Sequence, residues 1–192
     1  MEITNKRRRG NDGSYLLPQP VYRVQVLRLI LQSLRAFGYS QSAERLEQES
    51  GVGMEAEAVG QFRLEVLEGH WEEAVRLLAT FNLKTEEQMQ VLYCLKRQKY
   101  LELIEKQDFL QAFHCLRSEL VPLKPGETAA LAGLLLSSSA QELREDADWE
   151  GSGPQARLHL LHQVQTHFPP SVMLPPDRLQ ILISQALEGQ ST

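Results

Sequence analysis

Apolar positions in this chain recur at helical spacing from Val24 onward. Leu27, Ile30, Leu31 and Leu34 follow the i, i+3, i+4, i+7 order of one helix face. Val26, Leu29 and Ala36 widen that face beyond a single stripe, so the helix must be covered from more than one side. Gly38 ends it, Ser40 is placed to cap a second helix, and that helix offers only Ala43 and Leu46 as core positions before Gly51 closes it. A hairpin this short, with one rich partner and one poor, cannot enclose its own apolar face. It needs another copy of itself or another domain.

The helical period continues through the middle of the chain. Val59, Phe62, Val66 and Leu67 share a face up to Gly69, and Trp71, Ala74, Val75 and Leu78 form the next stripe. Thr85 with Gln88 has the spacing of a capping box and opens a long helix through Met89, Leu92, Tyr93, Tyr100, Leu103 and Ile104. Asp108 with Gln111 opens another, carrying Phe109, Ala112, Phe113, Leu116 and Leu120 until Pro122 and Pro125 stop it. The stretch GETAALAGLLLSS is apolar nearly all round and predicts a buried helix, after which Ser139 with Glu142 caps the helix leading to Trp149. EGSGP is a break, Pro154 starts a helix with Leu158, Leu161 and Val164, and FPPSVMLPPD is a rigid connection. The final helix uses Leu179, Leu182, Ile183, Ala186 and Leu187 and ends at Gly189. No segment alternates with period two, so the fold class is all-α.

Two joints are related. A shift of 38 positions lays Phe62–Leu78 over Tyr100–Leu116, pairing Phe62 with Tyr100, Val66 with Ile104, Trp71 with Phe109, Ala74 with Ala112, Val75 with Phe113 and Leu78 with Leu116. A period of this size predicts stacked helical hairpins, each with an aromatic opening its second helix and an alanine that lets two backbones approach. His70 falls opposite Asp108 at a cap position, which gives it a local role.

Composition narrows the function classes. The 192 residues carry a net charge of -5, which argues against a broad nucleic-acid surface. Only the run Lys6, Arg7, Arg8 and Arg9 is locally basic, in a tail (residues 1–22) read as solvated, with nuclear import as its functional alternative. No stretch approaches the roughly 18 apolar residues of a membrane span, and the basic N-terminus lacks the apolar run of a secretory signal. Cys94 and Cys115 sit in helical apolar patterns and read as reduced, buried thiols of a cytoplasmic or nuclear protein. Phosphate loops, paired-cysteine motifs and serine elbows are absent from the sequence. His159, His162 and His167 lie near one another without a cysteine or carboxylate at ligand spacing, so no metal, cofactor or catalytic residue is assigned. Trp149, beside the acidic residues Glu145, Asp146, Asp148 and Glu150, reads as a core anchor or, if exposed, as a docking residue.

The residues also carry a resemblance. LRLILQSLRAFGYSQSAERLEQESG, followed by FRLEVLEGHWEEAVRLL, RQKYLELIEKQDFLQAFHCLRSELVPL and a last segment containing PPSVMLPPDRLQ, resembles the LisH, CTLH and CRA arrangement from about Val24 to Glu188. LRSELVPLK and PPSVMLPPDRLQ are similar to the WD-repeat subunits of CTLH (GID) ubiquitin ligases, whereas LEQESG and EGHWEEA are shared with Topless-type corepressors. The resemblance implies a LisH motif at 23–51, CTLH hairpins at 52–111 and a CRA-type region at 112–192. It implies a non-catalytic scaffold that self-associates and joins sister subunits. On that reading Leu27, Ile30, Leu31, Leu34 and Leu46 form one interface, and Leu179, Leu182, Ile183 and Leu187 a second. Such family members continue into a WD40 propeller, of which this chain holds no repeat, and the Cys and His ligands of a RING domain are missing. The alternative is a Topless-like module that oligomerises and binds short apolar repression peptides.

Overall fold

Helix-forming stretches punctuated by glycine, proline and capping residues give a chain in which every described element is helical. The computed structural model describes residues 20–175 and 177–190. The elements are α1 (Pro20–Ala36), α2 (Ser40–Ser50), α3 (Glu57–Glu68), α4 (Trp71–Leu78), α5 (Thr85–Glu105), α6 (Phe109–Cys115), a π-helical turn (Leu116–Leu120), a 3-10 turn (Pro125–Glu127), α7 (Thr128–Leu134), α8 (Ala140–Asp146), α9 (Pro154–Gln165) and α10 (Arg178–Gln190). The expected all-α chain of hairpins is what forms. It divides into two units: α1, α2 and α10 belong to one, and Glu55–Arg178 make up the other. The last helix of the expected CRA-type region thus groups with the first two helices.

In the first unit α1 and α2 form a hairpin. Gly38 takes φ of 84° and Gly51 φ of 68°, the left-handed conformation that ends each helix cheaply only at glycine. Tyr39 donates its N–H to the Leu34 carbonyl at 2.8 Å, and Arg35 pairs with Glu47 at 2.8 Å across the turn. Ser40 is not the expected cap. It is the first helical residue, because the turn closes on Tyr39 one position earlier.

The second unit is built along α5, whose 21 residues extend roughly 30 Å at 1.5 Å per residue. One core joins its first half to α3, α4 and α9 through Phe62, Val66, Trp71, Leu78, Leu95, Leu161 and Phe168. The other joins its second half to α6, the π turn, α7 and α8 through Tyr100, Leu101, Leu116, Leu120, Leu131 and Leu143. Phe62, Phe81 and Phe168 meet with ring centroids 5.6 to 5.7 Å apart, the tilted and edge-on packing that aromatic quadrupoles favour.

The 38-residue repeat is visible in the backbone. His70 donates its N–H to the Glu65 carbonyl at 2.8 Å, and the equivalent Asp108 donates to Leu103 at 2.9 Å. Gly69 and its equivalent Gln107 both take positive φ, 79° and 62°. Phe62 and Tyr100, Val66 and Ile104, Ala74 and Ala112, and Leu78 and Leu116 are all buried. Two pairs diverge: Trp71 is 8% exposed but Phe109 is 46%, and Phe113 is open to solvent where Val75 is partly covered. Helix α9 packs on α3 and covers the first hairpin, and among the described residues no equivalent helix covers Phe109 and Phe113 of the second.

A buried polar relay clips the first joint to the rest. The Arg157 guanidinium on α9 donates to both oxygens of Glu102 on α5, at 2.9 and 2.8 Å, and to the Leu67 carbonyl at 3.0 Å. Gln98 donates to Glu102 at 3.1 Å, and the Trp149 indole donates to Gln98 at 2.9 Å. A Cβ at Gly69 would fall 2.4 to 2.7 Å from the Arg157 guanidinium atoms. The glycine is therefore held by its φ and by its neighbour, whereas Gln107 adopts a similar φ with its side chain exposed.

Four details depart from the sequence reading. The box at the start of α5 runs one residue earlier, with Glu87 accepting from the Lys84 N–H at 3.3 Å in place of the Thr85–Gln88 pair. The helix opened by Asp108 is α-helical only to Cys115 and then widens, with Val121 N–H bonding the Leu116 carbonyl, so the chain reaches Pro122 through a π turn. The GETAALAGLLLSS helix is short and only half covered. Leu131 and Leu134 are buried while Leu136 is 84% exposed, since only one side meets the second core. Helix α10 passes through Gly189 to Gln190. The Asp108 and Ser139 caps form as expected, accepting from Gln111 N–H at 3.3 Å and Glu142 N–H at 3.1 Å.

Gly69→Ala is expected to destabilise the second unit by about 1 to 3 kcal/mol, and Gln107→Gly to leave it unchanged or slightly more stable. Urea unfolding of both variants separates the two joints.

Candidate assembly interface

The first unit has very little interior. Among the described residues, Leu31 and Ala43 are its only buried apolar side chains, whereas all the other buried apolar residues belong to the second unit. The reason lies in α2, SQSAERLEQES, which brings only Ala43 and Leu46 to cover a far richer α1. Of the five residues expected at the first interface, Leu31 is 0% exposed, Ile30 is 39% exposed, and Leu27, Leu34 and Leu46 are partly buried. Of the four expected at the second, Ile183 and Leu187 are 51% and 61% exposed, and Leu179 and Leu182 are partly buried. Leu31 thus sits inside one copy. The sequence reading missed Phe37 and Tyr39 in the turn and Ile181 on α10, all exposed. The Nε of Arg28 on α1 and the Oε1 of Gln180 on α10 are covered and have no hydrogen-bond partner among the described residues. The run Lys6, Arg7, Arg8 and Arg9 lies outside the described residues.

Chemistry-bearing groups of the second unit are mostly tied into structure. Burial pushes the Cys115 thiol up to about 12, with the Glu119 carboxylate adding to the effect, and burial also raises Cys94. Neither thiol is poised as a thiolate. The π turn carries Glu119 to Lys96 and Lys99, and Lys99 also reaches Glu72 at 2.6 Å. Burial alone would raise the Glu119 carboxyl, but hydrogen bonds from Lys96 and Lys99 outweigh it and hold the group below the ordinary carboxylate range. Glu72 is lowered chiefly by its hydrogen bond from Lys99. This is a structural clamp between α4, α5 and the π turn.

His159 meets Glu150 at 2.6 Å, and the three histidines read from sequence do not gather with it. Instead, Glu65, Glu68 and His70 bring three possible ligand atoms within 4.8 Å of one another at the first joint. The sequence reading assigned no metal there. His70 occupies the cap position of α4 without capping it, its Nδ1 lying 2.8 Å from Glu65 and 3.3 Å from Glu68. Trp149 is half-buried and lines a hollow of about 340 Å³ with Tyr93, Cys94, Arg97, Asp148 and His159.

A short helical hairpin with exposed apolar residues and a repeat of packed hairpins together define an all-α protein. A family model for the WDR26 Lis-homology domain matches residues 18–56, and one for a TPR1-like, CTLH-containing domain matches residues 58–165. The chain belongs to this LisH- and CTLH-containing WDR26 family. It is 37% identical over 174 residues to the WD repeat-containing protein 26 homolog of Drosophila melanogaster, covering 87% of this chain and 28% of that protein. It is 29% identical over 170 residues to GID complex subunit 7 of Schizosaccharomyces pombe, covering 88% of this chain and 33% of that one. Topless-related protein 3 of Arabidopsis thaliana matches at 26% over 179 residues, 86% of this chain and 16% of that protein. Among the described residues no helix is long and apolar enough to cross a membrane.

The clamp fixes a pH dependence. Glu72 and Glu119 are lowered in the folded state, so the stability they contribute is complete above the ordinary carboxylate range, about pH 4.5, and is lost as pH falls through their folded values. Glu119→Gln is expected to flatten that acid limb in urea unfolding between pH 3 and 6.

Proposed function

We propose that the chain is a non-catalytic assembly module that self-associates through α1, α2 and α10 and joins sister subunits of a CTLH/GID-type ubiquitin ligase. The observation that carries this reading is the poverty of the first unit's interior. The two buried apolar side chains among the described residues of this unit cannot repay the conformational entropy of ordering three helices. Val26, Ile30, Phe37, Ile183 and Leu187 supply the missing surface once a second copy covers them. At roughly 1.5 to 3 kcal/mol for each large apolar side chain fully buried, a few such residues decide whether the unit holds together.

The relative named as a GID complex subunit supports the wider role, and the module would then work in the cytoplasm or nucleus. The chain spans about a third of the length of that relative. The division into 23–51, 52–111 and 112–192 enters the reading as its domain plan, with the final helix assigned to the self-association surface. A Topless-like apolar-peptide module is the weaker reading, because the Topless-related relative matches at 26% identity against 37% for the WD repeat-containing one.

Ile30→Glu with Leu187→Glu is expected to reduce the particle mass in light scattering to that of one copy while helical circular dichroism is retained. Both positions are exposed in one copy, so a folded double variant of unchanged mass contradicts the proposed surface. Leu31→Glu is expected to act differently, by unfolding the hairpin, since it buries a charge. Co-expression with a RING-bearing LisH–CTLH subunit is expected to give a stable complex with the wild type.

A further inference from the structure

The loop around Trp149 has a composition that the assembly role does not use. Asp148 has φ of 46°, a left-handed conformation that costs a non-glycine residue about 1 to 2 kcal/mol. The turn is held there by the Trp149 N–H bonding the Arg144 carbonyl at 2.9 Å. Trp149, Asp148 and Glu150 line two hollows at once, the first shared with Tyr93, Arg97 and Leu160, the second with Gln141, Arg144 and Glu145. The first, about 340 Å³, is large enough for one or two long side chains.

The charges around these hollows are unequal. Four acids line them, Glu127, Glu145, Asp148 and Glu150, against Arg97, Arg144 and His159. Arg144 is already matched by Glu105, at 2.9 and 2.5 Å, and Lys124 matches Glu127 at 3.3 Å. Arg97 donates to the Ala147 carbonyl at 2.7 Å, Gln141 donates to Glu145 at 2.9 Å, and His159 meets Glu150 at 2.6 Å. The Asp148 carboxylate forms no hydrogen bond or ion pair with the described residues.

An indole flanked by carboxylates, over an apolar floor of Leu160, Ala156 and the half-buried Cys94, matches the two parts of a basic side chain. The aliphatic stem packs on the apolar surface and the cation meets the ring and the acids. The chain makes pairs of this kind internally: the Lys124 ammonium lies 4.0 Å from the Tyr93 ring centre and the Arg157 guanidinium 5.5 Å from the Trp71 ring.

We propose that the Trp149 loop is a docking site for a linear, Lys/Arg-bearing segment of a partner protein, selected by charge and by the indole. Opposite charge gives the site its choice of occupant, and all of its lining residues belong to the second unit.

The test is fluorescence anisotropy of the full chain with a labelled Gly-Lys-Arg-Gly-Lys-Arg-Gly peptide, its Glu-substituted counterpart, and a leucine-rich peptide. Saturable binding of the basic peptide alone, weakened by 0.5 M salt, is expected. Asp148→Asn with Glu150→Gln is expected to weaken it about tenfold or more, with circular dichroism unchanged because Asn tolerates the left-handed position. Glu57→Gln with Glu73→Gln, away from the loop, is expected to leave binding as it was. Three outcomes overturn the proposal: no saturable binding of the basic peptide, tighter binding of the leucine-rich one, or equal weakening in the remote variant.

Discussion

The constraint on which the molecule turns is that α1, α2 and α10, among the described residues, carry more apolar surface than they hide. Helix α1 is apolar over much of its circumference, and α2 answers it with one buried alanine and a half-covered leucine. Hydrophobic stabilisation scales with area removed from water, so an element that leaves Ile30, Phe37 and Leu187 wet contributes little alone and much when covered. The imbalance is written into the composition of α2, whose eleven residues are mainly Ser, Glu and Gln.

The second unit shows the opposite economy. A single 21-residue helix separates two cores, and each core is closed by helices of its own. Polar groups in its interior are joined along the relay from Trp149 through Gln98 and Glu102 to Arg157 and the Leu67 carbonyl. A buried pair of this kind adds little net stability over an apolar substitute, but losing one partner strands the other. Its effect is to fix where α9 lies on α3 and α5, and so to keep the first joint closed. The second joint, without a covering helix, keeps Phe109 and Phe113 in solvent.

Much of this was legible in the sequence because it depends on local rules. Helical period, the glycine stops at Gly38, Gly51 and Gly69, the Asp108 and Ser139 caps and the 38-residue repeat each require only a few neighbouring residues. What escaped depends on the third dimension. Leu31 and Ile30 are adjacent letters of one apolar stripe, and only the position of their neighbours makes one a core residue and the other a surface residue. The same holds for Trp71 and Phe109, equivalent in the repeat and opposite in exposure because α9 exists for one and not the other. The Glu65, Glu68 and His70 cluster was missed although its E-x-x-E-G-H spacing was in view, since a glycine turn was needed to fold the histidine back onto the helix end. The grouping of α10 with α1 and α2 involves a sequence separation that no periodicity reports.

Self-association tests the account most directly, because it follows from surface area and needs no knowledge of a partner. Sedimentation equilibrium of the purified chain across a concentration series from about 0.1 to 100 µM reads it without substitution. The account predicts a particle of two or more copies at micromolar concentration, dissociating on dilution as α1, α2 and α10 lose helical signal. A folded single copy, unchanged in mass and helicity across the whole range, would contradict it.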